Sequence, residues 1–199
     1  MITHNLFPTP VSYFEFGEDL TEEELGFING QEKRQSDGNL ITVNSYLFKS
    51  PELKRISDFC NKCVGEFTAA IYSPRNEISV YVTQSWANFT DKNQFHHKHE
   101  HPNSFISGVF YVNAKKDVDK ISFFKNVYTQ IDLLSNNYNE YNSHMWWMPV
   151  ETGQLILFPS SLSHMVETVE SDETRISIAF NTFVKGYIGD DGMLGGLHL

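Results

Sequence analysis

A change of hydrophobic period divides this chain at Pro74. Before it, Leu53, Ile56, Phe59, Cys60, Cys63, Val64, Phe67, Ala70 and Ile71 recur every three or four residues, behind Ser50 as a candidate N-cap and Pro51 at the first helical position. After it, Ile78, Val80 and Val82 alternate with Ser79, Tyr81 and Thr83, and strand-like runs recur until Val184. The predicted strands are 40–48, 78–90, 95–101, 104–113, 121–125, 154–158, 164–169 and 175–184. Short strands at close spacing behind a helical segment predict a mainly β sandwich or jelly roll, because antiparallel sheets solve their exposed-edge problem by closing or doubling.

No break in composition marks a second domain. Residues 1–199 therefore read as one domain, with 1–75 as a helical support layer, 76–185 as the β core and 186–199 as an irregular glycine-rich tail. Within the first part, residues 1–17 alternate around Pro8 and Pro10 as an edge strand, and Thr21 with Glu24 spells a capping box. The segment Asn126 to Ser143, rich in asparagine and tyrosine, is too polar for core and too long for a simple turn. It reads as a surface loop or a lid.

Composition excludes several classes of function. Twenty-five acids against fifteen Lys and Arg give a net charge of −10, and no basic run occurs, which argues against a nucleic-acid partner. Aromatics make up 14 % and charged residues only 20 %, so disorder is excluded. No stretch is long and apolar enough for a membrane helix, and the opening residues do not spell a secretion signal. A cytoplasmic setting is expected, with a small-molecule or peptidyl substrate and an oligomeric state left open, a homodimer included. Cys60 and Cys63 fall within the apolar stripe of the helix, so core packing explains them better than a zinc half-site. Met145-Trp146-Trp147-Met148 reads as a buried sheet segment, and His4, His144 and His198 as ordinary surface residues.

The most informative string is Phe95-His96-His97-Lys98-His99-Glu100-His101-Pro102-Asn103. On a strand, residues two apart share a face, so His97, His99 and His101 project together while His96, Lys98 and Glu100 point the other way. Imidazoles crowded on one face suit a divalent metal, since without one they repel as soon as they protonate. A solvated polar strand is the competing explanation. A further histidine, His164, follows the buried run Leu155-Ile156-Leu157-Phe158-Pro159, and Arg175 opens a strand whose alternation sets Arg175, Ser177, Ala179 and Asn181 on one face. A guanidinium directed inward needs an anionic partner and fits a carboxylate bidentately. An internal salt bridge would satisfy it equally.

Together these pieces resemble the 2-oxoglutarate/Fe(II)-dependent dioxygenase superfamily, in which a paired ligand site, a distant His and then a basic residue follow in this order. More narrowly, His99-Glu100-His101-Pro102-Asn103-Ser104-Phe105-Ile106-Ser107-Gly108-Val109-Phe110-Tyr111-Val112 is similar to the His-x-His-Pro-x-Ser-x-x-Ser-Gly-x-Tyr-Tyr-Val pattern of one oxygenase family within it. Leu6-Phe7-Pro8-Thr9-Pro10, Ser85-Trp86-Ala87-Asn88 and the Leu157 to Asn181 block extend the likeness over nearly the whole chain. The resemblance implies a double-stranded β-helix of the jelly-roll, cupin-like kind, and Fe(II) held by three protein groups with 2-oxoglutarate as co-substrate. By position it implies His99, His101 and His164 as metal ligands, and Arg175 with Ser177 on the far carboxylate of 2-oxoglutarate. Tyr111 would lie near that carboxylate and Asn88 would line the pocket. The reaction implied is oxidative decarboxylation of 2-oxoglutarate coupled to hydroxylation of an unidentified substrate.

One departure stands out. The superfamily has a carboxylate two residues after its first ligand, and no histidine of this cluster has one there. The triad would be three histidines, with His97 and His99 as an alternative register to His99 and His101. An all-histidine set also fits a cupin-like dioxygenase that does not use 2-oxoglutarate, which leaves Arg175 unexplained, or a non-catalytic metal-binding β-sandwich.

Overall fold

The computed structural model describes residues 1–126, 131 and 133–199. Part of the Asn126–Ser143 segment, with the lid reading attached to it, lies outside the described residues. In chain order the elements are β1 (Ser12–Glu15), α1 (Glu22–Asn29), β2 (Lys33–Gln35), β3 (Leu40–Thr42), α2 (Lys54–Phe67), β4 (Ile78–Thr90) and β5 (His96–His99). They continue with β6 (Ile106–Asn113), β7 (Lys120–Phe124), β8 (Met145–Pro149), β9 (Gln154–Pro159), β10 (His164–Val166), β11 (Arg175–Ile188) and β12 (Leu197–His198).

The strands form two antiparallel sheets. The large one runs β1-β9-β6-β11-β4-β3-β2 with β12 added to β11, and the small one runs β5-β10-β7-β8. Residue alternation on the large sheet decides what each of its faces touches. Ala87, Phe89, Phe110, Val112, Ile176, Ile178 and Phe180 pack with Ile56, Cys60, Cys63, Val64 and Phe67 of α2 in one apolar cluster. The opposite alternation set, including Val109, Tyr111, Ile156 and Phe158, meets Ile121 and Phe123 of the small sheet in a second cluster. Each fully buried Ile, Leu or Phe contributes roughly 1.5–3 kcal/mol, so the helical layer holds one face while the other is free to carry a site.

Two local features maintain this geometry. Gly108 stands opposite Phe180 in the β6–β11 ladder, and a Cβ built there would lie 2.1 Å from Phe180 Cζ, so the ring of Phe180 occupies the space a side chain would need. The helix α1 opens on the expected capping box, with Glu24 N donating to Thr21 Oγ1 (3.1 Å) and Thr21 N donating to Glu24 Oε2 (2.7 Å).

The alternation that predicts 78–90, 104–113, 154–158 and 175–184 is seen in β4, β6, β9 and β11. Several boundaries are corrected. The 1–75 part is not purely a helical layer: the edge strand read in 1–17 is β1, paired with β9, the 40–48 run shortens to β3, paired with β4, and β2, not foreseen, adds to β3. The tail is not wholly irregular, since Leu197 and His198 pair with Ile188 and Tyr187. Ser50 does not cap α2 with its side chain. Pro51 starts a 3₁₀ turn in which Leu53 N donates to Ser50 O (3.1 Å), and the α-helix begins only at Lys54. The Met145–Met148 segment is a strand, but at the edge of the small sheet with Trp147 exposed, not buried in it. Cys60 and Cys63 are free, buried thiols, as the apolar stripe requires. Among the described residues no helix is long and apolar enough to cross a membrane.

Candidate metal and co-substrate site

The two sheets separate around a cavity lined from the large sheet by Trp86, Asn88, Tyr111, Arg175 and Ser177, and from the other side by His96, His99, His101 and His164. Sequence spacing produces this convergence. Arg175 faces Thr90 across the β11–β4 ladder, and Ser177 stands between Asn88 on β4 and Tyr111 on β6. The opposite wall is made where His164 on β10 pairs with His99 on β5.

Three imidazoles meet there. His99, His101 and His164 each offer a ring nitrogen, and these nitrogens lie within 4.8 Å of one another. His101 Nε2 is 3.3 Å from His164 Nε2. Backbone carbonyls fix two of the rings: His99 Nδ1 lies 2.8 Å from His97 O, and His164 Nδ1 lies 2.9 Å from Leu162 O. A carbonyl can only accept, so both Nδ1 atoms carry the proton and both Nε2 atoms present a lone pair. Burial pushes His164 down to about 3 and His101 to about 4, and lowers His99, with neighbouring imidazoles adding to the effect on each. At neutral pH all three rings are neutral imidazoles, the state that ligates a cation.

His101 lies beyond the end of β5 and is positioned by a chain of hydroxyls. His101 N donates to Ser160 O (3.1 Å), the Ser160 hydroxyl donates to Ser104 Oγ (2.7 Å), and Ser107 Oγ lies 2.8 Å from Ser160 Oγ. The two serines of the His-x-His-Pro-x-Ser-x-x-Ser-Gly string therefore hold the loop that carries a histidine. Glu100, between His99 and His101, accepts a hydrogen bond from the Ser163 hydroxyl and ties down the loop that leads into His164.

Strict alternation misplaces two histidines. The β5–β10 pairing spans three residue steps on β5, from His96 to His99, against two on β10, from Val166 to His164. That extra residue is a bulge, and it brings His96 into the same cavity as His99. His97, expected on the metal-facing side, instead turns toward Asp37, with Nδ1 3.4 Å from its carbonyl oxygen and 3.7 Å from its carboxylate. His96, His97 and His99 also have ring nitrogens within 4.8 Å of one another. His99 has only one nitrogen free of the backbone, so it can serve one of the two groups at a time. Sequence pattern offers no signal for His96 or for the bulge.

Arg175 is buried, and its guanidinium carbon sits 5.3 Å from the centre of the Tyr111 ring. Its nearest carboxylate is Asp119 Oδ1, 3.9 Å from Nε, too far for a hydrogen bond. Asp119 directs its other oxygen to Lys115 N (2.6 Å). Arg175 Nε, Tyr111 Oη and Asn88 Oδ1 are all buried and without hydrogen-bond partners among the described residues. Burial pushes the Tyr111 phenol up to about 12, so it stays a neutral donor. Leaving buried polar atoms unpaired costs roughly 1–3 kcal/mol each, and three around one cavity point to a polar guest that satisfies them.

Residues 84–181, which supply the cavity-lining histidines, Arg175, Ser177, Tyr111 and Asn88, match the family model described as "Putative 2OG-Fe(II) oxygenase". That match covers 98 of the 199 residues, and the family it describes is named for 2-oxoglutarate and Fe(II). No curated protein matches the chain in sequence. Solved structures similar in fold include an oxidoreductase of the 2OG-Fe(II) oxygenase family from Burkholderia pseudomallei, 14 % identical, covering 79 % of this chain and 74 % of that one, at a TM-score of 0.52. HygX from Streptomyces hygroscopicus with nickel and 2-oxoglutarate bound is 10 % identical over 87 % of this chain and 82 % of its own, at 0.61. The epimerase SnoN in complex with Fe3+, α-ketoglutarate and nogalamycin RO is 9 % identical over 89 % and 81 %, also at 0.61. These likenesses establish the double-stranded β-helix. The residues of this segment fit the two groups: convergent neutral imidazoles suit a divalent cation, and the buried guanidinium, whose Nε has no hydrogen-bond partner, suits a carboxylate together with the Tyr111 phenol.

Proposed function

We propose that His99, His101 and His164 hold Fe(II), that Arg175 with Ser177 and Tyr111 holds the distal carboxylate of 2-oxoglutarate, and that Asn88 lines the same pocket. Bound together, metal and co-substrate supply dioxygen reduction coupled to decarboxylation and to hydroxylation of a C–H bond. The chain's residues supply position. Carbonyl-tied imidazoles aim their lone pairs, the buried guanidinium forks onto a carboxylate, and the Tyr111 phenol donates a further hydrogen bond. The observation that carries the reading is the presence, in one cavity, of a convergent histidine group and a buried guanidinium without a hydrogen-bonded anion. Free buried thiols and an acidic surface suit the cytoplasm.

The all-histidine triad favours one other reading, a cupin-like enzyme that binds its substrate directly on the metal and uses no 2-oxoglutarate. An anaerobic titration separates the two. Fe(II)-loaded protein gains a visible charge-transfer band when 2-oxoglutarate chelates the iron; an iron-loaded protein that shows no band, and no calorimetric binding of 2-oxoglutarate, supports the cupin alternative.

A further inference from the structure

The histidines have a second side. A wider groove opens across them, and Trp86, His96, His99 and His101 line both the groove and the cavity described above. Arg34, Ser45 and Gln84 line the groove alone. Arg34 is in β2 at the edge of the large sheet, opposite Ile41.

The charge arrangement is uneven in an informative way. The chain has four arginines. Arg55 pairs with Glu18 and Glu24, Arg75 pairs with Asp190, and Arg175 lines the first cavity near Asp119. Arg34 has no ion pair and no side-chain hydrogen bond among the described residues. No carboxylate lines the groove, although the chain carries a net charge of −10. Asp37, three residues beyond Arg34, is turned to His97. An acidic molecule has thus kept one cationic, acid-free channel leading to its histidine cluster, and a field of that sign concentrates anions there. Trp86, partly buried with its ring 5.8 Å from that of His101, offers a flat apolar wall beside the metal ligands.

We propose that this groove receives the molecule to be oxidised and selects a small organic anion. Arg34 binds its carboxylate or phosphate group, and its apolar or aromatic body lies against Trp86 with a C–H bond directed at the histidine cluster. This inference rests on the oxygenase reading above. It differs from that reading in the residues involved, since Arg34 takes no part in holding 2-oxoglutarate.

The test uses full-length protein loaded with Ni(II) and saturated with 2-oxoglutarate, so that added acids do not report on Arg175. Isothermal titration calorimetry compares phenylacetate and phenyl phosphate with phenylacetamide. At least one acid binds about tenfold tighter than the amide, and Arg34→Gln removes that preference, in line with the worth of one partly solvated charge-assisted contact. Trp86→Leu weakens acid and amide alike. The Fe(II)–2-oxoglutarate band is unchanged in Arg34→Gln. If the band forms but the amide binds as well as both acids, or Arg34→Gln keeps the preference, the groove assignment alone is overturned. If no band forms in the unmodified protein, the oxygenase reading falls and this inference with it.

Discussion

Replacing His164 by alanine removes metal binding, with Ni(II) or Fe(II) affinity falling by more than roughly 100-fold. His164 is the only member of the triad that arrives from β10, and its Nε2 is held toward His101 by the carbonyl of Leu162. The effect is visible as heat stability. A metal at 100 times its Kd adds about 2.7 kcal/mol to the folded state, which for a domain of this size raises Tm by roughly 5–10 °C. The unmodified protein shows that rise on adding Ni(II) and the variant shows none. Because the ring of His164 also packs 4.7 Å from that of Phe158, His164→Asn accompanies it as a variant that fills more of the space. A full thermal response in both variants would mean that a different residue is the distal ligand.

Arg175→Ala separates the co-substrate from the metal. Two charge-assisted hydrogen bonds from a guanidinium to a carboxylate are worth about 3 kcal/mol together, so 2-oxoglutarate affinity falls about 100-fold while metal affinity holds. Asp119 keeps its bond from Lys115 N in the variant and is not left wholly unpaired. Arg175→Lys recovers only part of the loss, because an ammonium cannot fork onto both oxygens. Calorimetric titration of 2-oxoglutarate into Ni(II)-loaded protein reads the difference. Unchanged affinity in Arg175→Ala would assign the carboxylate to some other group.

The missing carboxylate ligand acquires a physical meaning from this geometry. Under the proposed assignment, three neutral imidazoles would leave the full charge of the cation in the cavity, and a dianionic co-substrate would meet both that charge and Arg175.

Much of this architecture is legible in the order of residues along the chain. The switch at Pro74 separates the helix that backs the large sheet from the strands that build it, because helical and strand periods are fixed by backbone geometry. Alternation in 175–184 places Arg175 and Ser177 on one face, as β11 does, since that strand is regular there. Alternation fails at β5, where a single extra residue reverses the expected sides of His96 and His97. A bulge has no hydrophobic signature in a run of histidines, lysine and glutamate. The strands of residues 1–75 are only partly legible because β2 and β3 are three residues each, too short for a period to register. The relation of Asp119 to Arg175 is equally hidden, as it depends on how the β6–β7 turn folds. Arg34, from the sequence alone, is one more charge on a polar strand.

The most direct test of the central claim is a crystal structure of Fe(II)-loaded protein with 2-oxoglutarate, phased at the iron edge. One anomalous peak within bonding distance of His99, His101 and His164 Nε2, with the distal carboxylate of 2-oxoglutarate on Arg175, is the predicted result. An iron bound by His96 and His97 instead, or a 2-oxoglutarate molecule that leaves Arg175 untouched, would contradict it.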